Sequence, residues 1–147
     1  MQLINDYMTR HHKECDAVLA RADEAAAAAD WAAVERNAGT FLREIERHIE
    51  AEETLLFPAF EERTGMADGG PTATMRMEHE QMRGLFAQMR AAIPARDAQR
   101  YLGASQTLLP LLQQHNMKEE SMMYPMLDQA LGDDARGLRA EVESAMA

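Results

Sequence analysis

The feature that most constrains this chain is an ungapped internal repeat. Displaced by 67 residues, the sequence lays His12 on His79, Asp30 on Asp97, His48 on His115, Glu52 on Glu119, Glu53 on Glu120, Pro58 on Pro125 and Gly65 on Gly132. Self-similarity at one fixed displacement marks a duplicated structural unit. The match is densest from His48 to Pro58 and from His115 to Pro125, where both halves read H-x-x-x-E-E-x-x-x-aromatic-P. In each half the first histidine precedes the second by 36 residues, as from His12 to His48 and from His79 to His115. That interval lets the chain leave one helix, turn and return along an antiparallel neighbour.

The residues between these points favour helix. Ala, Leu, Met, Glu and Arg dominate, while β-branched and aromatic residues are few. Turn and capping residues interrupt the pattern at Asp30, at Gly65 to Pro71, at Pro94 to Asp97 and at Gly132 to Asp134. The predicted helices span 3–28, 31–63, 71–92 and 98–130. A shorter one near 133–145 carries Leu138, Val142 and Met146 as an apolar stripe. Asp30 and Asp97 suit N-caps, and Gly65 and Gly132 suit left-handed C-caps. Short connections imply antiparallel neighbours, hence an all-α, up-down-up-down four-helix bundle with a pseudo-twofold repeat. It forms a single domain over 1–147, with the bundle at about 3–130 and a short C-terminal helix. Pro58, Pro110 and Pro125 fall inside helical stretches and are expected to bend them.

Composition narrows the chemistry. A single cysteine among 147 residues excludes an internal disulfide and any four-thiolate site, so a metal here must be held by imidazole and carboxylate. The formal charge of −10 opposes nucleic-acid backbones and anionic membranes. No basic segment leads into an apolar run at the N-terminus, and nowhere do 18 uncharged apolar residues run together, so a soluble, cytoplasmic protein is expected.

Successive residues turn by about 100° around a helix, so His48 and Glu52 share one face, as do His115 and Glu119. Glu53 and Glu120 point elsewhere, toward solvent or a neighbouring helix. With His12 and His79, the inward set is four histidines and two glutamates, a nitrogen and oxygen mixture suited to iron or manganese, with zinc less favoured. Two carboxylates on opposing helices suit a dinuclear centre that each of them bridges. A lone buried histidine is ordinarily a hydrogen-bonded core residue. Six such groups in one layer would cost several kcal/mol in desolvation without a cation to hold.

His12, His48-x-x-x-Glu52, His79 and His115-x-x-x-Glu119 resemble the hemerythrin-like, or HHE cation-binding, domain family over about residues 5–130. The resemblance implies a non-haem centre of two iron ions, oxo- or hydroxo-bridged, with two carboxylate bridges and terminal histidines. Oxygen-carrying hemerythrins have a further histidine one turn along the third helix, where this chain has Arg83. Arginine offers no lone pair. The chain therefore resembles the branch with two H…H-x-x-x-E halves, whose more open site suits peroxide, nitric oxide or iron-exchange chemistry.

Other residues carry lesser expectations. His11 competes with His12 as first ligand, but the repeat register selects His12 and leaves His11 as a partly exposed surface residue. Asp16 aligns with Arg83, and the two are expected to pair across the bundle above the metal layer, with Asp16 as an alternative extra ligand. Cys15 reads as a small buried hydrophobe, and Phe57 and Tyr124 as packing residues, the Tyr124 hydroxyl lying within reach of the site. Most of the twelve methionines read as core filling. The leading functional expectation is a di-iron protein that binds O₂, NO or peroxide, a small diatomic or peroxide ligand, in sensing, storage or stress defence. An enzyme turning over peroxide or NO, or donating iron for cluster repair, and an iron store or buffer are the alternatives.

Overall fold

Two aspartates divide the chain as the repeat predicts. The computed structural model describes residues 3–147. In it Asp30 accepts from the Ala33 N–H at 3.2 Å and Asp97 from the Arg100 N–H at 3.0 Å, each satisfying a free donor at a helix start. The preceding turns are also alike. Ala29 (φ 55°) and Arg96 (φ 51°) are left-handed. The next N–H groups, of Asp30 and Asp97, reach back to the Ala25 and Ala92 carbonyls and close the preceding helices. Asp30→Ala and Asp97→Ala should each lower stability by about 1 kcal/mol. A urea denaturation midpoint unchanged by either substitution would remove the capping role.

The helices are α1 (Leu3–Ala27), α2 (Trp31–Ala51), α3 (Phe57–Thr64), α4 (Pro71–Ala95), α5 (Ala98–Lys118), α6 (Tyr124–Leu131) and α7 (Ala135–Met146). No strand occurs among the described residues. α1 packs on α2 and α4 on α5, while α1 with α5 and α2 with α4 close the bundle. α7 lies against α1 and α2, and its Val142 and Met146 are buried among the residues of one core cluster, with Leu138 packed at the edge. No described helix is long and apolar enough to cross a membrane.

The two predicted long helices over 31–63 and 98–130 are each interrupted by a π-helical turn, Glu52–Leu56 and Glu119–Met123. The Phe57 N–H bonds to the Glu52 carbonyl, and the Tyr124 N–H to that of Glu119. Each wide turn comes just before a proline, Pro58 or Pro125, in the first turn of the next helix. The irregularity expected at these prolines takes this form, and it falls on the candidate ligands. The expected interruption at Pro110 does not occur, and α5 runs through it. Pro110 is exposed, so water can satisfy the carbonyl that its missing N–H leaves free. Gly65 is a left-handed cap as expected (φ 70°, ψ 13°), whereas Gly132 (φ 56°, ψ −123°) lies outside the left-handed helical region and leads into a 3₁₀ turn.

The apolar interior is two clusters. One, around Leu19, Phe41, Phe86, Met89, Tyr101 and Leu108, fills one end of the bundle. The other, around Ile4, Met8, Phe57, Phe60, Met75 and Leu127, fills the opposite end. Along α1 the sequence passes from Met8 in one cluster through His12 to Cys15 in the other, and along α4 from Met75 through His79 to Met82. The histidines thus lie in a polar layer sealed at both ends by hydrocarbon.

Candidate metal centre

The six residues selected by the repeat meet in that layer. Glu52, His79 and Glu119 are fully buried, and His12, His48 and His115 are at most 2% exposed. They form two groups of donor atoms, each mutually within 4.8 Å: His12, His48, Glu52 and Glu119, and Glu52, His79, His115 and Glu119. The glutamates belong to both through opposite oxygens. Glu119 Oε1 lies 3.1 Å from His12 Nε2, and Glu119 Oε2 lies 3.2 Å from His115 Nε2. Glu52 Oε2 lies 3.6 Å from His48 Nε2, and Glu52 Oε1 lies 3.1 Å from His79 Nε2. The π turns start at these two glutamates, so the same backbone device delivers both carboxylates to the axis.

The outer ring nitrogens fix the imidazoles. His12 Nδ1 bonds Glu120 at 2.7 Å, His79 Nδ1 bonds Glu53 at 2.8 Å and His115 Nδ1 bonds Glu78 at 2.8 Å. Each carboxylate accepts, so each Nδ1 carries a proton, and the neutral form of each imidazole has its lone pair on the inward Nε2. His48 reaches the same state by a relay. Its Nδ1–H donates to His11 Nδ1 at 2.8 Å, and His11 Nε2–H donates to Glu44 at 3.1 Å. All four histidines therefore aim Nε2 at the axis. The Nε2 atoms of His79 and His115 face each other at 3.2 Å. Glu52 Oε1 and Glu119 Oε2 are buried and accept no hydrogen bond from the chain.

Electrostatics follows this layout. Burial pushes the Glu52 carboxyl up, but the His48 imidazole and the bonds around it hold the carboxyl well below the usual carboxylate range. Burial works against charging His12, His79 and His115, yet the facing Glu119 and Glu52 carboxylates raise all three, His115 to about 9. His48 is lowered, by burial. Burial and the two carboxylates drive the Tyr124 hydroxyl well above its ordinary value.

Several residues differ from expectation. His11 is a buried residue, 8% exposed, that orients His48. The repeat contained the signal, because Glu78 is its counterpart and performs the same task for His115. Arg83 does not pair with Asp16. Its guanidinium binds Glu53 at 2.6 Å and also Glu80. The pseudo-twofold axis places counterparts on the diagonal helices α1 and α4, whose outer faces look away from each other. Asp16 instead lines a surface cavity of about 450 Å³ with His12, Asn116 and Glu120. Glu53 and Glu120 follow the neighbouring-helix alternative of their expectation, each bonding a histidine of another helix. Cys15 is buried as expected, with its thiol pushed up to about 12 by burial and nearby acids. Tyr124 does more than pack, since its hydroxyl lies inside the first donor group.

Four inward imidazole nitrogens around two shared, buried carboxylates form donor groups that could hold metal cations in place of the protons. The family model described as Hemerythrin HHE cation binding domain matches residues 3–127. No curated protein and no solved structure matches the chain.

Proposed function

Since this chain belongs to the hemerythrin HHE cation-binding domain family, we propose that it is a cytoplasmic non-haem di-iron protein that binds O₂, NO or peroxide, serving in sensing, storage or stress defence. The observation that carries this reading is the shared use of Glu52 and Glu119, one oxygen to each donor group, with one buried oxygen of each left without a hydrogen bond. His12 and His48 would hold one ion and His79 and His115 the other, with both glutamates spanning the pair. Four neutral nitrogens with two carboxylates are the mixed donor set that suits iron or manganese better than a thiolate-preferring metal. When bound, two iron ions supply redox change and an exchangeable coordination position for a small ligand. The chain's own residues set orientation: Glu120, Glu53, Glu78 and the His11–Glu44 relay fix each imidazole and raise its basicity. The apolar clusters on either side exclude bulk water from the layer.

The test is elemental analysis of protein expressed with ample iron, followed by optical spectra of the reduced form exposed in turn to O₂, NO and peroxide. Two irons per chain and a reversible ligand-dependent charge-transfer band are expected. Fewer than one metal per chain would defeat the reading, and sustained consumption of peroxide or NO would turn it into an enzyme. The orienting carboxylates give a graded result. Glu53→Gln and Glu120→Gln should each weaken metal retention by about 10- to 100-fold in chelator competition, without loss of helical content.

A further inference from the structure

The duplication is broken at one position in the metal layer. Phe57 and Tyr124 are counterparts in the repeat, each following its π turn directly, and both rings are fully buried against a site histidine. Phe57 stacks on His79 with ring centres 5.6 Å apart, and Tyr124 lies 5.7 Å from His12. The two differ by one oxygen.

That oxygen lies 2.6 Å from Glu52 Oε2, 2.9 Å from Glu119 Oε1, and 3.2 Å from both His12 Nε2 and His48 Nε2. The hydroxyl can accept from an imidazole N–H, but its single proton can be donated to only one of the two carboxylates, so hydrogen bonding leaves the other carboxylate oxygen beside it without a proton between them. Neighbouring donors around an octahedral ion with bonds of about 2.1 Å lie about 3.0 Å apart. The hydroxyl lies 2.6–3.2 Å from all four donors of the first group at once, a range around that separation, as a fifth donor to the same ion would.

We propose that Tyr124 is a ligand of the metal held by His12 and His48, and that the two metal positions are therefore chemically inequivalent. The inference rests on the di-iron reading above. Ligation replaces the phenol O–H bond by an O–metal bond and releases one proton to solvent. A bound cation reverses the field that the two carboxylates impose on the phenol. At the position of His79 and His115 the counterpart Phe57 offers only carbon, so the exchangeable position for a small ligand belongs to that metal.

The oxidised, iron-loaded full chain should show a visible phenolate-to-ferric charge-transfer band. Resonance Raman excitation in that band should show tyrosine ring modes that shift when the protein is grown with ring-deuterated tyrosine. Tyr124→Phe should abolish the band while elemental analysis still finds iron. If the variant does not fold, the isotope shift in the unmodified chain decides the question. Iron-loaded protein without such a band, or a band that survives Tyr124→Phe, overturns the ligand assignment and leaves the di-iron reading standing. Absence of iron from the unmodified chain overturns both.

Discussion

Glu52→Ala should empty both proposed metal positions. Each ion would lose an anionic donor, because the two oxygens of Glu52 belong to different donor groups, and two cations would lose a carboxylate that screens their repulsion. Removing only an orienting partner of a metal ligand already costs about 10- to 100-fold in affinity, so loss of a shared ligand should exceed 100-fold at both positions. Glu119→Ala should behave alike, since its oxygens are divided in the same way. His48→Ala is the contrasting case. It touches only the first group and should lower iron content toward a single ion. Elemental analysis after dialysis, with circular dichroism to establish the fold, reads all three. Glu52→Ala protein with the metal content of the unmodified chain would show that the carboxylate does not bridge.

Stripping both metals should lower the melting temperature by roughly 16–32 °C. Each ion present at about a thousand times its dissociation constant stabilises the folded form by about 4 kcal/mol, and each kcal/mol shifts the melting point of a domain this size by about 2–4 °C. The loss should depend on pH with a definite sign. In the metal-free chain, His12, His79 and His115 are raised above their ordinary value, so their contribution is complete below about pH 6.5. It is lost as pH rises through the folded values, about 9 for His115. The loaded protein cannot carry those protons on its ligand nitrogens. The gap between loaded and stripped forms should therefore widen from pH 6 to pH 9, and loading near neutral pH should release protons. Calorimetric scans of both forms across that range test this. Equal melting points at every pH would mean that the layer folds equally well without cations.

The failures of sequence reasoning share a cause. His11, Arg83 and Asp16 are adjacent to ligands or one turn from them, and repeat register and helical angle place each only on its own helix. Their partners lie on other helices: His48 and Glu44 for His11, Glu53 for Arg83, and the cavity shared with Glu120 for Asp16. Helical angle reports which way a side chain leaves its axis and nothing about what stands opposite. The π turns were invisible for a related reason. A proline announces that a helix must adjust, but not whether it bends, widens or continues. Exposed Pro110 is carried within α5, while Pro58, also exposed, and Pro125 follow wide turns.

What the sequence determined by itself was the repeat, and with it four antiparallel helices, the aspartate caps and the six polar groups assigned to one layer. Those features are periodic or local, and one displacement with one helical angle suffices to read them. Only the tertiary structure decided how those groups are used. It assigned one oxygen of each glutamate to each half, gave every site histidine an orienting partner from a different helix, and put the Tyr124 hydroxyl where the other half has Phe57 carbon. The physical reason is that these are contacts across the bundle axis. Their distances depend on how four helices pack together, which no single helix encodes.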